Sequence, residues 1–151
     1  MTKEKIISLI VGIKNFIAYH DFSQRVKKVV HCNDSACATS SMMVLDSRED
    51  TSEPISITIG PDGLPTFAYS YKGILTIARC TDAGCTHAVN TNIYYGYPGG
   101  LRGGDFSIAI GVDGLPILAY YYSVDVNGVS YPELKMVHCS NQFCVPHSRP
   151  R

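Results

Sequence analysis

Six of the 151 residues are cysteines, and they fall as three equally spaced pairs: Cys32 and Cys37, Cys80 and Cys85, Cys139 and Cys144. Four residues between partners suit a hairpin whose ends lie side by side, which brings two Cβ atoms within bonding reach, so three local disulfides are expected. Closing each short loop contributes about 2 kcal/mol in the chain-entropy description. Buried free thiols are the next reading and zinc the third. Zinc needs four converging ligands, usually from C-x2-C pairs. His31 and His138 precede a cysteine, but Arg79 stands at that place in the middle pair, so a mixed Cys/His site does not recur with the spacing. No metal or other cofactor is expected.

Catalytic signals are sparse. There is no G-x-S-x-G nucleophile turn. The histidines His20, His31, His87, His138 and His147 form no H-x-x-x-H arrangement. Asp62 and Asp113 each precede a glycine and belong to turns, whereas Asp21, Asp46, Asp50 and Glu53 fall in loops or strand ends with no spacing that marks an acid/base pair. A binding or scaffold protein without enzymatic activity is therefore expected, and a hydrolase or lyase with its site in a central channel is the competing class.

Tyrosine is the type in excess, ten against five Phe and no Trp. Tyr94, Tyr95 and Tyr97 lead into the glycine-rich "PGGLRGGD" carrying Arg102, and Tyr120, Tyr121, Tyr122 and Tyr131 cluster later in the chain. A flat apolar ring with a hydroxyl suits recognition of a carbohydrate or a protein segment. Tyr94, Tyr95, Tyr97, Arg102 and Tyr121 are accordingly the candidate ligand-binding residues. The glycine-rich piece lacks G-K-[ST] and leads into a strand, so it is no phosphate loop.

Charge narrows the partners. Thirteen Lys+Arg balance thirteen Asp+Glu, which leaves no basic surface of the kind that phosphate backbones require. The apolar run Ile6 to Ile13 is broken by Gly12 and followed by Lys14, with no small-residue cleavage site. That run is also far short of the ~20 residues that span a bilayer. Neither nucleic acid nor membrane is an expected partner. Disulfides point to an extracellular or periplasmic setting although no clear signal peptide is seen, which leaves localisation open and makes a piece of a longer repeat protein a third reading.

The elements that would position these residues repeat. "ISITIGPDGLPTFAYSYKGILTIARCTDAGC" (55 to 85) matches "FSIAIGVDGLPILAYYYSVDVNGVSYPELKMVHCSNQFC" (106 to 144), with about eight extra residues between the second and third strands of the later copy. "ISLIVGIKNFIAYHDFSQRVKKVVHCNDSAC" (7 to 37) is a weaker first copy. Asp62-Gly63 and Asp113-Gly114 are expected to supply the left-handed positions of tight hairpins, with Pro65 and Pro116 opening the next strand. In that strand Phe67, Tyr69 and Tyr71 alternate with the smaller Thr66, Ala68 and Ser70, giving a bulky face and a small face that predict face-to-face stacking of units. "TSSMMVLDS" (39 to 47) and "THAVNTNIYY" (86 to 95) supply fourth strands.

Four short strands recurring every ~50 residues describe propeller blades. The pattern "SIAIGxDGLPxxAYY" followed by "LKxxHCxxxxC" resembles a tandem-repeat family of bacterial and environmental proteins, and this resemblance implies a β-propeller and no particular reaction. The expected fold is thus all-β: one repeat domain over residues 1–151, with four-stranded antiparallel blades at about 4–50, 53–100 and 104–151. Three blades are fewer than the usual four to eight. Closure into six by a homodimer, with one chain's N-terminal strand completing the other's last blade, is expected. A β-sandwich or barrel is the alternative.

Overall fold

The computed structural model describes residues 5–10, 15–48, 55–71, 73–95 and 106–145, with the side chains of residues 5–10, 15, 94, 95 and 122–125 outside that description. The described chain is all-β and antiparallel. The first sheet runs β1 (Lys5–Ile10), β2 (Asn15–Asp21), β3 (Val26–Cys32) and β4 (Ser40–Asp46) in chain order. The middle sheet repeats this with β5 (Ile55–Ile59), β6 (Pro65–Tyr71), β7 (Ile74–Cys80) and β8 (Ala88–Tyr95). In the third, β9 (Phe106–Ile110), β10 (Pro116–Val126) and β11 (Val129–His138) form three strands among the described residues. A fourth strand there would fall after Val145, outside them.

Turn chemistry makes the repeated stretches fold alike. Gly60 N–H donates to the Leu64 carbonyl and Gly111 N–H to Leu115, closing two equivalent loops. Gly63 and Gly114 both adopt φ of 78°, whereas neither aspartate before them is left-handed. The aspartate acts through its side chain instead: Asp62 Oδ1 accepts from Leu64 N–H and Asp113 Oδ1 from Leu115 N–H, both at 3.1 Å. One left-handed residue therefore suffices, and the expected pair is replaced by a glycine and an Asx-type cap. The extra residues of the third unit lengthen one hairpin, turned at Asn127-Gly128 with both residues at positive φ.

The three sheets lie face to face. In register, Ala18 stands opposite Val29, Ala68 opposite Ile77 and Ala119 opposite Met136, so each alanine marks the face that looks toward the next sheet. Phe16, Ala18, Val29 and Leu45 of the first sheet are buried with Ile55, Ile57, Phe67, Tyr69 and Ala78 of the middle sheet. Ala68, Leu75 and Ile77, on the opposite face of that sheet, are buried with Ile108, Leu118 and Tyr120 of the third. A small residue on one sheet thus receives bulky ones from the next. β6 and β7 are buried along almost their whole length, which explains why their apolar run shows so little polar alternation. The first strands adjoin as well, β1 beside β5 and β5 beside β9, while β2 reaches β5 and β6 reaches β9.

Ala68→Leu is expected to overpack the seam to Leu118 and Tyr120 and to cost about 1–3 kcal/mol in urea unfolding. An unchanged midpoint would mean that this alanine does not set the spacing of the sheets.

Candidate functional site

The cysteines pair as Cys32–Cys37, Cys80–Cys85 and Cys139–Cys144, with Cα separations of 4.6, 5.0 and 4.8 Å. In every pair the second cysteine is left-handed, with φ of 53°, 52° and 55°. Such a backbone is unfavourable for a residue bearing a Cβ, and a side chain inside the loop holds it in place. Asp34 accepts from the N–H groups of Ala36, Ala38 and Thr39. Asp82 does the same for Gly84, Thr86 and His87, and the Asn141 side-chain oxygen for Phe143 and Val145. This third loop position, "CNDSAC", "CTDAGC" and "CSNQFC", was readable in the repeats, where an acidic or amide acceptor always stands two residues after the first cysteine. The Ala38 and Thr39 N–H groups hold the Asp34 carboxyl below its ordinary range, and the Thr86 N–H does so for Asp82.

A second element at this end was not anticipated. In the second and third units the basic residue before the first cysteine couples its sheet to a turn, and in the second also to the next unit. Arg79, fully buried, donates to Asp62 at 2.5 Å, to Thr66 Oγ1 at 2.9 Å and to Gln142 Oε1 at 3.2 Å, with its guanidinium 5.9 Å from the Phe143 ring centroid. Gly60 permits this, because a Cβ there would lie 2.8 Å from Asp62 Oδ1 and 3.1 Å from an Arg79 nitrogen. Partial burial raises the Asp62 carboxyl, but the Leu64 N–H and the Arg79 guanidinium outweigh it and hold the pKa below the usual value. In the third unit His138 Nε2 lies 2.8 Å from Asp113. In the first unit His31 stacks on Phe16, centroids 4.5 Å apart.

Arg79 and Phe143 fill the seam between the middle and third sheets, whereas the corresponding residues between the first and middle sheets are His31 and Gly84. A cleft of about 140 Å³ results, walled by Val29, His31, Ser41, Met43, Cys85 and Thr86. It offers apolar walls with two hydroxyls and an imidazole, a lining able to hold a small amphipathic group.

The other end of the stack carries the hairpins. Tyr71, Ile74 and Tyr95 align across β6, β7 and β8, and Tyr121 lies opposite Leu134 near the corresponding end of the third sheet. Tyr121 is 44% exposed. The side chains of Tyr94 and Tyr95, and all of Tyr97 and Arg102, lie outside the described residues. Sequence reasoning missed a buried polar group here. Asp46 is gripped by the Arg48 guanidinium, which lies 4.4 Å from the Tyr71 ring centroid, while Lys27 Nζ sits 5.5 Å from that of Tyr69. Burial pushes the Asp46 carboxyl up, but Arg48 more than compensates and leaves it lowered. Burial, reinforced by Asp46, pushes the Tyr69 hydroxyl up. Lys28 pairs with Asp21 at 2.6 Å and, with Ser23, holds that carboxyl far below its ordinary range.

Among the described residues, no three His, Cys, Asp or Glu side chains are grouped so as to hold a metal ion. No known protein family matches the chain, and no characterised protein matches it in sequence.

Three measurements test this geometry. Because Asp21, Asp34, Asp46, Asp62 and Asp82 are all lowered from 3.8 in the folded state, their contribution is present above that value and is lost as pH falls through the folded-state values. Urea midpoints should be flat from about pH 7 to 5 and fall below about pH 4, with a smaller fall in Asp34→Asn/Asp82→Asn; a loss already complete at pH 6 would implicate histidine instead. Arg79→Met should cost about 1–3 kcal/mol, the half-exposed Asp62 contributing little of it. Reducing the disulfides, or Cys80→Ser/Cys85→Ser, should cost about 2 kcal/mol per bridge, and an unaltered midpoint would assign loop stability to the Asp and Asn acceptors alone.

Proposed function

We propose that the chain is half of a β-propeller, a non-enzymatic scaffold whose three sheets act as blades and which a second copy closes into a six-bladed ring that recognises a carbohydrate or protein ligand. The middle sheet carries this reading. It is buried on both faces by neighbours that use equivalent positions, and its first strand lies between those of the other two sheets. Blades arranged about an axis have this relation, whereas a two-layer sandwich buries each sheet on one face. Continuing the same step beyond the third sheet requires another first sheet, and a two-fold pair of chains supplies one.

Tyr95 belongs to a strand that finishes at the hairpin end, in register with Ile74 and Tyr71. Aromatic rims of this sort hold sugar rings and apolar side chains by stacking while the hydroxyl fixes orientation. The cleft beside His31 and Gly84 is the other concave position.

The deciding measurement is solution mass by light scattering, expected at twice the chain's 16.5 kDa. A monomer across the micromolar range would overturn the closed ring. Glycan and peptide arrays should then yield binding that falls at least about 10-fold in Tyr95→Ala. Turnover in a glycoside or ester screen would replace the scaffold reading with an enzymatic one.

A further inference from the structure

We propose that two particular faces form the seam between copies: the face of the third sheet bearing Ala119 and Met136 in one chain, against the face of the first sheet bearing Ile17 and Tyr19 in the other. This rests on the ring-closed reading above and specifies how that ring is joined. Two seams of this kind are already formed within one chain, and equivalent positions show what each seam covers.

On the face that looks toward the next sheet, Val29, Ile77 and Met136 each stand opposite their unit's alanine. Val29 is 1% exposed and Ile77 0%, but Met136 is 73%. Two residues further along the same face, Lys27 is 2% exposed and Leu75 0%, but Leu134 is 79%. The positions that a following sheet covers twice are thus apolar and uncovered the third time. Tyr121 and Ala119 continue this face on the neighbouring strand.

The opposite face shows the complementary defect. Phe67 and Leu118 are wholly buried by the preceding sheet, and so are Tyr69 and nearly so Tyr120, yet Ile17 and Tyr19 of the first sheet are only half-buried. Met42 and Val44 extend that apolar surface outward, 59% and 47% exposed, where the middle sheet carries Asn90 and Asn92 in register. A large exposed apolar surface on each end of the stack is atypical of a finished protein surface. The two ends also match in kind: the small Ala119 would receive Ile17 and Tyr19, as Ala68 receives Leu118 and Tyr120.

Charge does not oppose the contact. Lys28 and Asp21 are paired with each other at the first-sheet face, and His138 with Asp113 at the third. Bringing the faces together therefore buries no isolated charge, the costly event in such contacts. At the disulfide end, Arg79 reaches the loop of the next unit and His31 borders it. By the same step His138 would lie over the second copy's Ser35 and Ala36, small residues that leave room for an imidazole.

The test uses the full chain with its disulfides intact. Met136→Arg changes a side chain that is mostly exposed within one chain, so the circular dichroism spectrum should be retained while the dimer dissociation constant rises roughly 100-fold or more. Ala119→Arg and Tyr19→Asp, one on each face, should do the same. Val89→Arg, on the outer strand of the middle sheet, should leave the constant unchanged within about 3-fold. A photo-crosslinker at position 134 should join peptides containing residues 15–46 of the other chain. A wild-type monomer would overturn both this seam and the ring, and would mean that something other than a second copy covers the faces. A dimer indifferent to Met136→Arg, Ala119→Arg and Tyr19→Asp would overturn the seam alone and leave the pair of copies joined elsewhere.

Discussion

Each sheet in this protein has one face on which an alanine leaves space and one on which a tyrosine stands beside Ile, Phe or Leu, with Phe16 the bulky exception on an alanine face. That asymmetry governs the architecture, because a small face is filled only by a bulky one. Ala68 meets Leu118 and Tyr120, and Ala18 meets Phe67 and Tyr69 within single buried clusters. Stacking in one direction is the arrangement that satisfies every sheet in the same way. It has no natural end within three sheets, so the same packing rule that builds the core also generates the uncovered apolar surface at both extremities.

The ends of the stack are organised by different forces from its middle. Around the disulfides, backbone N–H groups converge on Asp34, Asp82 and the Asn141 amide, which satisfies donors that a tight loop cannot pair by itself. Arg79 then fastens a turn, a strand and the neighbouring unit's loop through one buried guanidinium. Its planar fork suits three acceptors in different directions, a role for which lysine is poorly shaped. At the hairpin end Asp21 is paired with Lys28, and Asp46 with the part-exposed Arg48, whose guanidinium lies over the Tyr71 ring. These pairs keep charges at the margins of an apolar seam without leaving them isolated.

Much of the fold was legible because its signals are local. The Asp-Gly turns, the prolines opening β6 and β10 and the pairing of cysteines with four residues between them depend on contacts within a few positions, and the fourth strands at 40–46 and 88–95 each pair with the strand just before them in the chain. Asp62 was legible only as a turn former, since its second role needs Arg79, seventeen residues away, and a glycine whose missing Cβ clears the approach. The cleft beside Gly84 was invisible for the same reason: it exists because His31 and Gly84, from different sheets, both fall short of what Arg79 and Phe143 fill at the equivalent seam. Of the candidate binding tyrosines, Tyr121 is placed on an exposed face, while the side chains of Tyr94, Tyr95 and Tyr97 fall outside the described residues.

Residue alternation, turn residues and cysteine spacing are properties of a few consecutive bonds, and by themselves they placed the antiparallel meanders and most of their corners and favoured three local disulfides over free thiols or zinc. Which face of each meander is covered, how far Arg79 reaches, and where apolar surface is left open were decided only in tertiary structure. The physical reason is that period-two alternation names two faces without saying what lies against either. That depends on the volume of side chains arriving from another sheet about fifty residues away.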